Sequence, residues 1–436
     1  MSSPSLSPDM AAAAAATSNG SPVKTWTNPK RGFLFFLAFA AIGSGMGQLV
    51  PAVETAAEKA TQIVGAKNSA GALSLTIAVG AIFALVATPI FGRVSDRVRG
   101  RFGRRRPFVL LGAVLFAIGG ILLASAGSVF LLVLSSVFTF LGAAAVTVAL
   151  SAIIPDQFEP LKRGPASAAV GVSLPVGAVI GLGIATAVST NLTLQILIPA
   201  GIAVLGALIF VLVIKDPQVA DAPRPPFNAV QFFSTFWVNP AKNPSFAWAW
   251  FSRLLIFFGV AAIQAYQFFY LVAVLHVSFA AVSQDLFFST LVLTVFALVF
   301  AAIASKISDV VKRRKPFVIA AAVIFAVGLA VAATSTTFGG FLVAIGIVGL
   351  GQGVYFAVDL ALVSQLVPDQ SNPGQGMSIM GLASQVPSSI VPALAPAILL
   401  IGATAASPQN YAALFIVGAI AGLVGAVLIL FVKGVK

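Results

Sequence analysis

From residue 32 onward the chain is a run of apolar stretches, each about twenty residues or longer, broken by short polar connections. A helix rises about 1.5 Å per residue, so about 20 apolar residues cross a bilayer core. Twelve segments reach that length: 32–53, 71–94, 107–127, 129–154, 166–189, 193–214, 247–275, 285–306, 316–335, 338–366, 376–402 and 410–432. They are too long, and too evenly apolar, for the alternating strands of a membrane barrel. Glycines such as Gly171, Gly177, Gly181 and Gly183 recur inside them, and small residues let helix backbones approach closely in lipid. The expectation is an all-α integral membrane protein.

Composition agrees and excludes much else. Of 436 residues, 59% are hydrophobic and 8% charged, where soluble proteins carry about 25% charged residues. Water cannot surround that much apolar surface, so most of the surface must meet lipid. Cysteine is absent and His276 is the only histidine, which removes disulfides, thiol catalysis and thiolate or poly-histidine metal sites. No G-x-x-x-x-G-K-[ST] loop is present, so ATP does not drive this chain from within. No cofactor is called for, and an enzyme is not expected. The net charge of +13 reads as basic loops on one membrane face rather than as nucleic-acid binding.

The distribution of charge sets the sides. Twenty-two of the 25 Lys and Arg residues fall in the two tails and the even-numbered connections; Lys59 and Lys67 lie on the other face and Arg253 within the seventh segment. The basic face is expected to be cytoplasmic, with both termini on it, in the cell membrane. Residues 1–31 read as a disordered cytoplasmic tail without the pattern of a signal peptide. Residues 215–245 form a proline-rich linker in which Phe232, Phe233, Phe236 and Trp237 suit either a segment in the headgroup layer or packing beneath the bundle. The linker separates residues 32–214 from 246–436, each holding six segments.

These halves repeat. Ser95-Asp96 followed by Arg104-Arg105-Arg106-Pro107-Phe108-Val109 matches Ser308-Asp309 followed by Arg313-Arg314-Lys315-Pro316-Phe317-Val318. Pro155-Asp156-Gln157 matches Pro368-Asp369-Gln370, and Arg31 with Phe35-Phe36 matches Arg253 with Phe257-Phe258. Parallel six-helix repeats build one class of transporter.

The connection between the second and third segments, GRVSDRVRGRFGRRRPF, carries seven arginines. Its pattern G-x-x-x-D-R-x-x-x-x-x-G-R-R-R-P, with a degenerate copy between segments eight and nine, resembles the signature loop of the major facilitator superfamily. Arg101 to Pro107 further resembles sucrose/proton symporters and glycoside–pentoside–hexuronide symporters, and 149–171 and 351–369 look like an actinobacterial branch near them. The resemblance covers 32–432 and implies twelve helices in two pseudo-symmetric six-helix bundles, working as a monomer by alternating access. It implies a gating role for Gly92, Asp96, Arg97, Arg101, Gly103, Arg104 and Arg105, and for Asp309, Arg313 and Arg314 in the second copy. Gly92 would let helices 2 and 11 meet at the cytoplasmic end. The carboxylate of Asp96 would bind loop arginines and latch the halves while the site faces outward. The plainer reading makes the arginines topological anchors, and Arg99 fits it.

Transport-site candidates follow from charge and polarity inside the segments. Asp359 stands in the apolar run VYFAVDLAL, where an ionisable group is costly and functional by default. It can carry a coupling proton, or be a buried aspartate bonded to Arg253 or a backbone amide. Arg253 itself can snorkel to the interface. Glu54 and Asp285 read as interfacial caps. Gln264, Tyr266, Gln267 and Tyr270 on the seventh segment, with Gln48, Gln352, Tyr355 and Gln385, offer amides for sugar hydroxyls and rings for a pyranose face; interhelical hydrogen bonding is the alternative. No carboxylate precedes Asp96 in the second segment, the fourth lacks an Arg-x-x-x-Gln-Gly pattern, and the fifth has LPVG (174–177) in place of a Gly-Pro pair. Beside the resemblance, these absences count against sodium coupling and weaken a drug antiporter. The expected function is proton symport of a small polar solute, a sugar or glycoside, with lipid as the other partner. A proton-coupled exporter of a drug-like or metabolic compound is the rival, and a membrane scaffold without turnover a third.

Overall fold

The structure is a computed structural model that describes residue 29 and residues 31–98, 102–214, 238–311, 313–367, 373–404 and 408–433. The tail, the aromatic cluster of the linker, Arg101 and the side chain of Asp309 fall outside the described residues. The chain is all-α. Helix α1 runs Arg31–Val50, passes through a π-helical turn at Pro51–Thr55, and continues as Ala56–Val64. Then follow α2 (Ala66–Arg97), α3 (Arg106–Ser125), α4 (Val129–Gln157), α5 (Gly164–Gly171 and Ser173–Ala187) and α6 (Leu192–Val213). The second half holds α7 (Pro244–Ala273), α8 (Phe279–Val311), α9 (Lys315–Thr334), α10 (Phe338–Leu366), α11 (Pro373–Ile398) and α12 (Tyr411–Leu430). Among the described residues, eleven helices are long and apolar enough to cross a membrane, and twelve if the two parts of α5 count as one span. Ile121, Leu205, Ile420 and Val427 lie exposed on the outside, as a lipid-facing surface requires.

Proline explains the two irregular helices. Pro175 offers no N–H to the carbonyl of Gly171, and α5 bends by 44° just there. Pro51 opens the π turn of α1 in the same way.

The two halves are built alike, contact by contact. In the first, α1 packs on α5 and α6, α2 on α4, and α3 on α4 and α6; in the second, α7 packs on α11 and α12, α8 on α10, and α9 on α10 and α12. Caps repeat too. Ser128 and Thr337 cap α4 and α10, while Asn191 and Asn410 cap α6 and α12. Arg106 donates to the Ile214 carbonyl at the end of α6, and its counterpart Lys315 donates to Val432 O at 2.6 Å and Leu430 O at 3.3 Å past α12. Cations thus sit at two matching helix C-termini, where the dipole favours them.

The bundles meet through α2 with α11 and α5 with α8, again a symmetric pair. That meeting is one-ended. At the end away from the basic loops, one apolar core joins Leu73 and Ile77 of α2 to Phe268 and Tyr270 of α7, Val391 of α11 and Leu399 just past it. At the basic end there are two separate cores, one around Phe33, Phe108 and Phe210, the other around Phe246, Val318 and Ile429. Gly92 lies at that divided end. A Cβ built on it meets only Val148 of α4, at 4.0 Å, so the expected close approach to α11 is absent here. The α2–α11 contact belongs to the shared core at the other end instead.

Helix pairs inside a bundle depend on small residues. A Cβ on Gly353 of α10 would stand 2.2 Å from the carbonyl oxygen of Ala297 in α8, closer than any real contact. We expect Gly353→Val to force these backbones apart and to cost about 2 kcal/mol. Thermal unfolding in detergent should register this as a lower Tm with the span count unchanged.

Candidate functional site

Between the two separate cores lies a cavity of about 690 Å³, within the usual range for a small-ligand site. Helices from both halves wall it: α1, α2, α4 and α5 on one side, α7, α8, α10 and α11 on the other. It includes residues near the basic end, Val170 to Pro175 at the bend of α5 and Ser305 in α8. Opposite that end, hydrogen bonds join the bundles. Ser74 of α2 meets the Tyr266 hydroxyl at 2.6 Å; Thr186 of α5 donates to Ser283 O of α8 at 3.0 Å; Gln409 donates to Lys67 O at 3.0 Å. Ser283 also donates its hydroxyl to the carboxylate of Glu54. At the basic end the two cores stay apart and the cavity reaches between them. The molecule is therefore closed at the far end and open toward the basic one.

The lining carries no charged side chain among the described residues. Its polar groups are neutral: Gln48, Gln264, Gln267, Gln352 and Gln385, with Ser44, Ser384, Thr88 and Thr290 nearby. Gln352 Oε1 and Thr290 Oγ1 are buried without a hydrogen-bond partner, a cost that a bound polar solute would relieve. Phe140, Phe257 and Phe356 supply flat apolar faces.

Five of the expected binding residues, the glutamines, are thus brought together. The three tyrosines are not. On α7 the cavity side is Phe257, Val260, Ala261 and Gln264, and Tyr266 stands about 200° further round the helix. Its hydroxyl is taken by Ser74, that of Tyr270 by Ala332 O at 2.6 Å and Ser335 O at 2.9 Å, and that of Tyr355 by Asp359 at 2.9 Å. Spacing along the helix told which tyrosines share a face, and tertiary packing decided which way that face turns.

Asp359 also lies off the cavity wall, 6% exposed. Arg253 of α7 pairs with it at 2.7 Å, while the Arg253 guanidinium stands 5.4 Å from the centre of the Phe257 ring. Arg253 therefore does not snorkel to the interface; it turns inward to a partner. Glu54 likewise is no interfacial cap, being fully buried against Ser283.

The arginine loop forms a compact network. Arg105, 5% exposed, reaches Asp96 at 2.7 Å and Asp156 at 2.9 Å and donates to the Ser95 hydroxyl. Arg104 reaches Asp156 at 2.6 Å. Gly103 turns the chain at φ +84°, a left-handed conformation that a Cβ would strain. Arg97 ends α2, and Arg313 and Arg314 precede α9 in the matching place. The partners named here belong to α2 and α4, so these contacts tie the first bundle together. Asp156 is the residue that sequence reasoning passed over. The Pro155-Asp156-Gln157 repeat was its signal.

The Major Facilitator Superfamily profile matches residues 32–309 and 285–436. The chain belongs to that superfamily. Among solved structures it resembles a D-xylose–proton symporter (TM-score 0.68, 15% identity, 93% of this chain and 98% of that one). It also resembles a peptide transporter in complex with alafosfalin (0.71, 19%, 93% and 96%) and a bacterial homolog of the lysosomal transporter Spinster (0.69, 16%, 92% and 95%). At such identities these likenesses concern the fold. A curated relative, Multidrug resistance protein 3 of Bacillus subtilis, is 27% identical over 169 residues, which span 37% of this chain and 32% of that protein. This superfamily member is a multi-pass membrane transporter, not an enzyme.

Exposure ranks the carboxylates of the loop. The Asp96 side chain is 58% exposed and that of Asp156 only 20%. Screening leaves an exposed pair worth under about 1 kcal/mol, while stripping a buried cation of its partner costs about 3 kcal/mol. Arg105 keeps Asp96 and Ser95 when Asp156 is lost, so Asp156→Asn should lower stability by about 2 kcal/mol and Asp96→Asn by under about 1 kcal/mol, read from Tm in one detergent.

Proposed function

We propose that this transporter moves a small, neutral, hydroxyl-rich solute, a sugar or glycoside, by proton symport. The single observation that carries the reading is the wall of five glutamine amides with no charged side chain in a cavity between the bundles. An amide donates and accepts at once, which suits a hydroxyl that does the same. A charged peptide or cationic drug would enter such a site at a cost, since a lone charge there stays unpaired. Aromatic faces at Phe257 and Phe356 suit the C–H face of a pyranose ring. A proton moving down 100 mV contributes about 2.3 kcal/mol, enough to concentrate a neutral solute roughly fifty-fold. The charge bias supports a cytoplasmic basic end; on that reading the described conformation faces inward and a monomer suffices as the unit.

A second reading, proton-coupled export of a drug-like compound, draws on the multidrug relative and on the many alanine, valine and leucine side chains in the same wall.

In proteoliposomes, labelled disaccharide uptake should rise when the outside is made acidic. Accumulation only under the inverted gradient would favour the exporter and refute symport. Gln264→Ala should weaken the half-saturating solute concentration about tenfold, the equivalent of one good hydrogen bond of about 1.4 kcal/mol, with Tm unchanged.

A further inference from the structure

The far end of the cavity is closed over a carboxyl group. Glu54 lies in the π turn of α1, fully buried. One of its oxygens accepts from Ser283 of α8, in the other bundle, and the second, Oε2, has no partner. The same Ser283 hydroxyl is approached by Gln195 Nε2 of α6 at 3.5 Å, and Gln195 Oε1 is also buried without a partner. This junction therefore holds two buried acceptor oxygens without a donor.

No cation supplies the balance among the described residues. On its own helix Glu54 has Glu58, a second carboxylate, and Lys59, whose ammonium donates to Ala124 O at 3.0 Å; α2, which packs on the end of α1, carries Lys67 in its first turn, exposed on the surface. α6 and α5 carry no ionisable side chain, α7 brings Tyr266 and Tyr270 with hydroxyls already engaged, and α8 adds Asp285, another acid, two residues beyond Ser283. Lys306 and Asp309 lie at the opposite end of α8 and Arg253 near the opposite end of α7. A carboxylate without a counter-ion, in apolar surroundings, opposes burial; a carboxyl group does not. Asp359 differs, because Arg253 already neutralises it.

We propose that Glu54 is the proton-binding residue of the far gate: its protonated form closes α1 onto α8, and its ionised form parts them. When the gate opens, Glu54 meets water on that side and exchanges its proton there. When it shuts, the neighbouring Val53 stands on the cavity wall, one residue from the carboxyl group. The inference deepens the proton-symport reading by naming where the proton is held.

The absence of cysteine permits a direct test. Lys67→Cys and Pro408→Cys place two spin labels on exposed positions beside the contact that crosses the closed end. With Glu54 present, the distance between labels in detergent should be short at pH 5 and should gain a longer population at pH 8.5. Glu54→Gln, the isosteric neutral form, should lose the longer population at both values. Ser283→Ala, which removes the cross-bundle donor, should restore it even at pH 5. Asp359→Asn should leave the pH response in place. A Glu54→Gln pair that still opens with rising pH, no response in the Glu54 parent, or a response abolished by Asp359→Asn would each overturn the proposal. The measurement uses neither solute nor gradient, so failed disaccharide uptake would refute the symport reading without touching this result.

Discussion

The arrangement depends on one apolar seam at the end away from the basic loops. There the two bundles share a core, and Leu73, Ile77, Phe268, Tyr270, Val391 and Leu399 lose their exposure together. At the basic end each bundle closes on its own core. A molecule pinned at one end and divided at the other has a cavity as a geometric consequence. In lipid the bundles gain little from the hydrophobic effect, so the seam rests on close packing and on the few hydrogen bonds that cross it.

The contacts between the bundles are themselves symmetric. The cross-bundle pairs are α2 with α11 and α5 with α8, each the image of the other. A rigid rotation that breaks the seam at the far end can bring the same helix pairs together at the basic end. Arg104 and Arg105 hold Asp96 and Asp156 within the first bundle, and Asp96 remains more than half exposed.

Backbone irregularity falls where polar work is done. The π turn of α1 carries Glu54, and the bend of α5 touches the cavity. Both begin from a proline that cannot donate to the turn before it. Within a membrane such breaks are tolerated only where protein or a cavity satisfies the freed groups, and here both conditions are met.

The apolar segments, the repeat and the arginine loop were legible in the chain because each is a local pattern, fixed by helix rise, the bilayer's thickness and charge. Sequence alone therefore determined the all-α membrane class, the six-plus-six organisation and the five glutamines as candidates. Tertiary structure decided the rest, for a physical reason. Periodicity tells which side chains share a helix face, not which neighbour that face meets. Thus Gln264 turned to the cavity while Tyr266, two residues on, turned to Ser74; Arg253 found Asp359 across more than a hundred residues; and Glu54, which reads as a surface cap, became the buried link between the two halves.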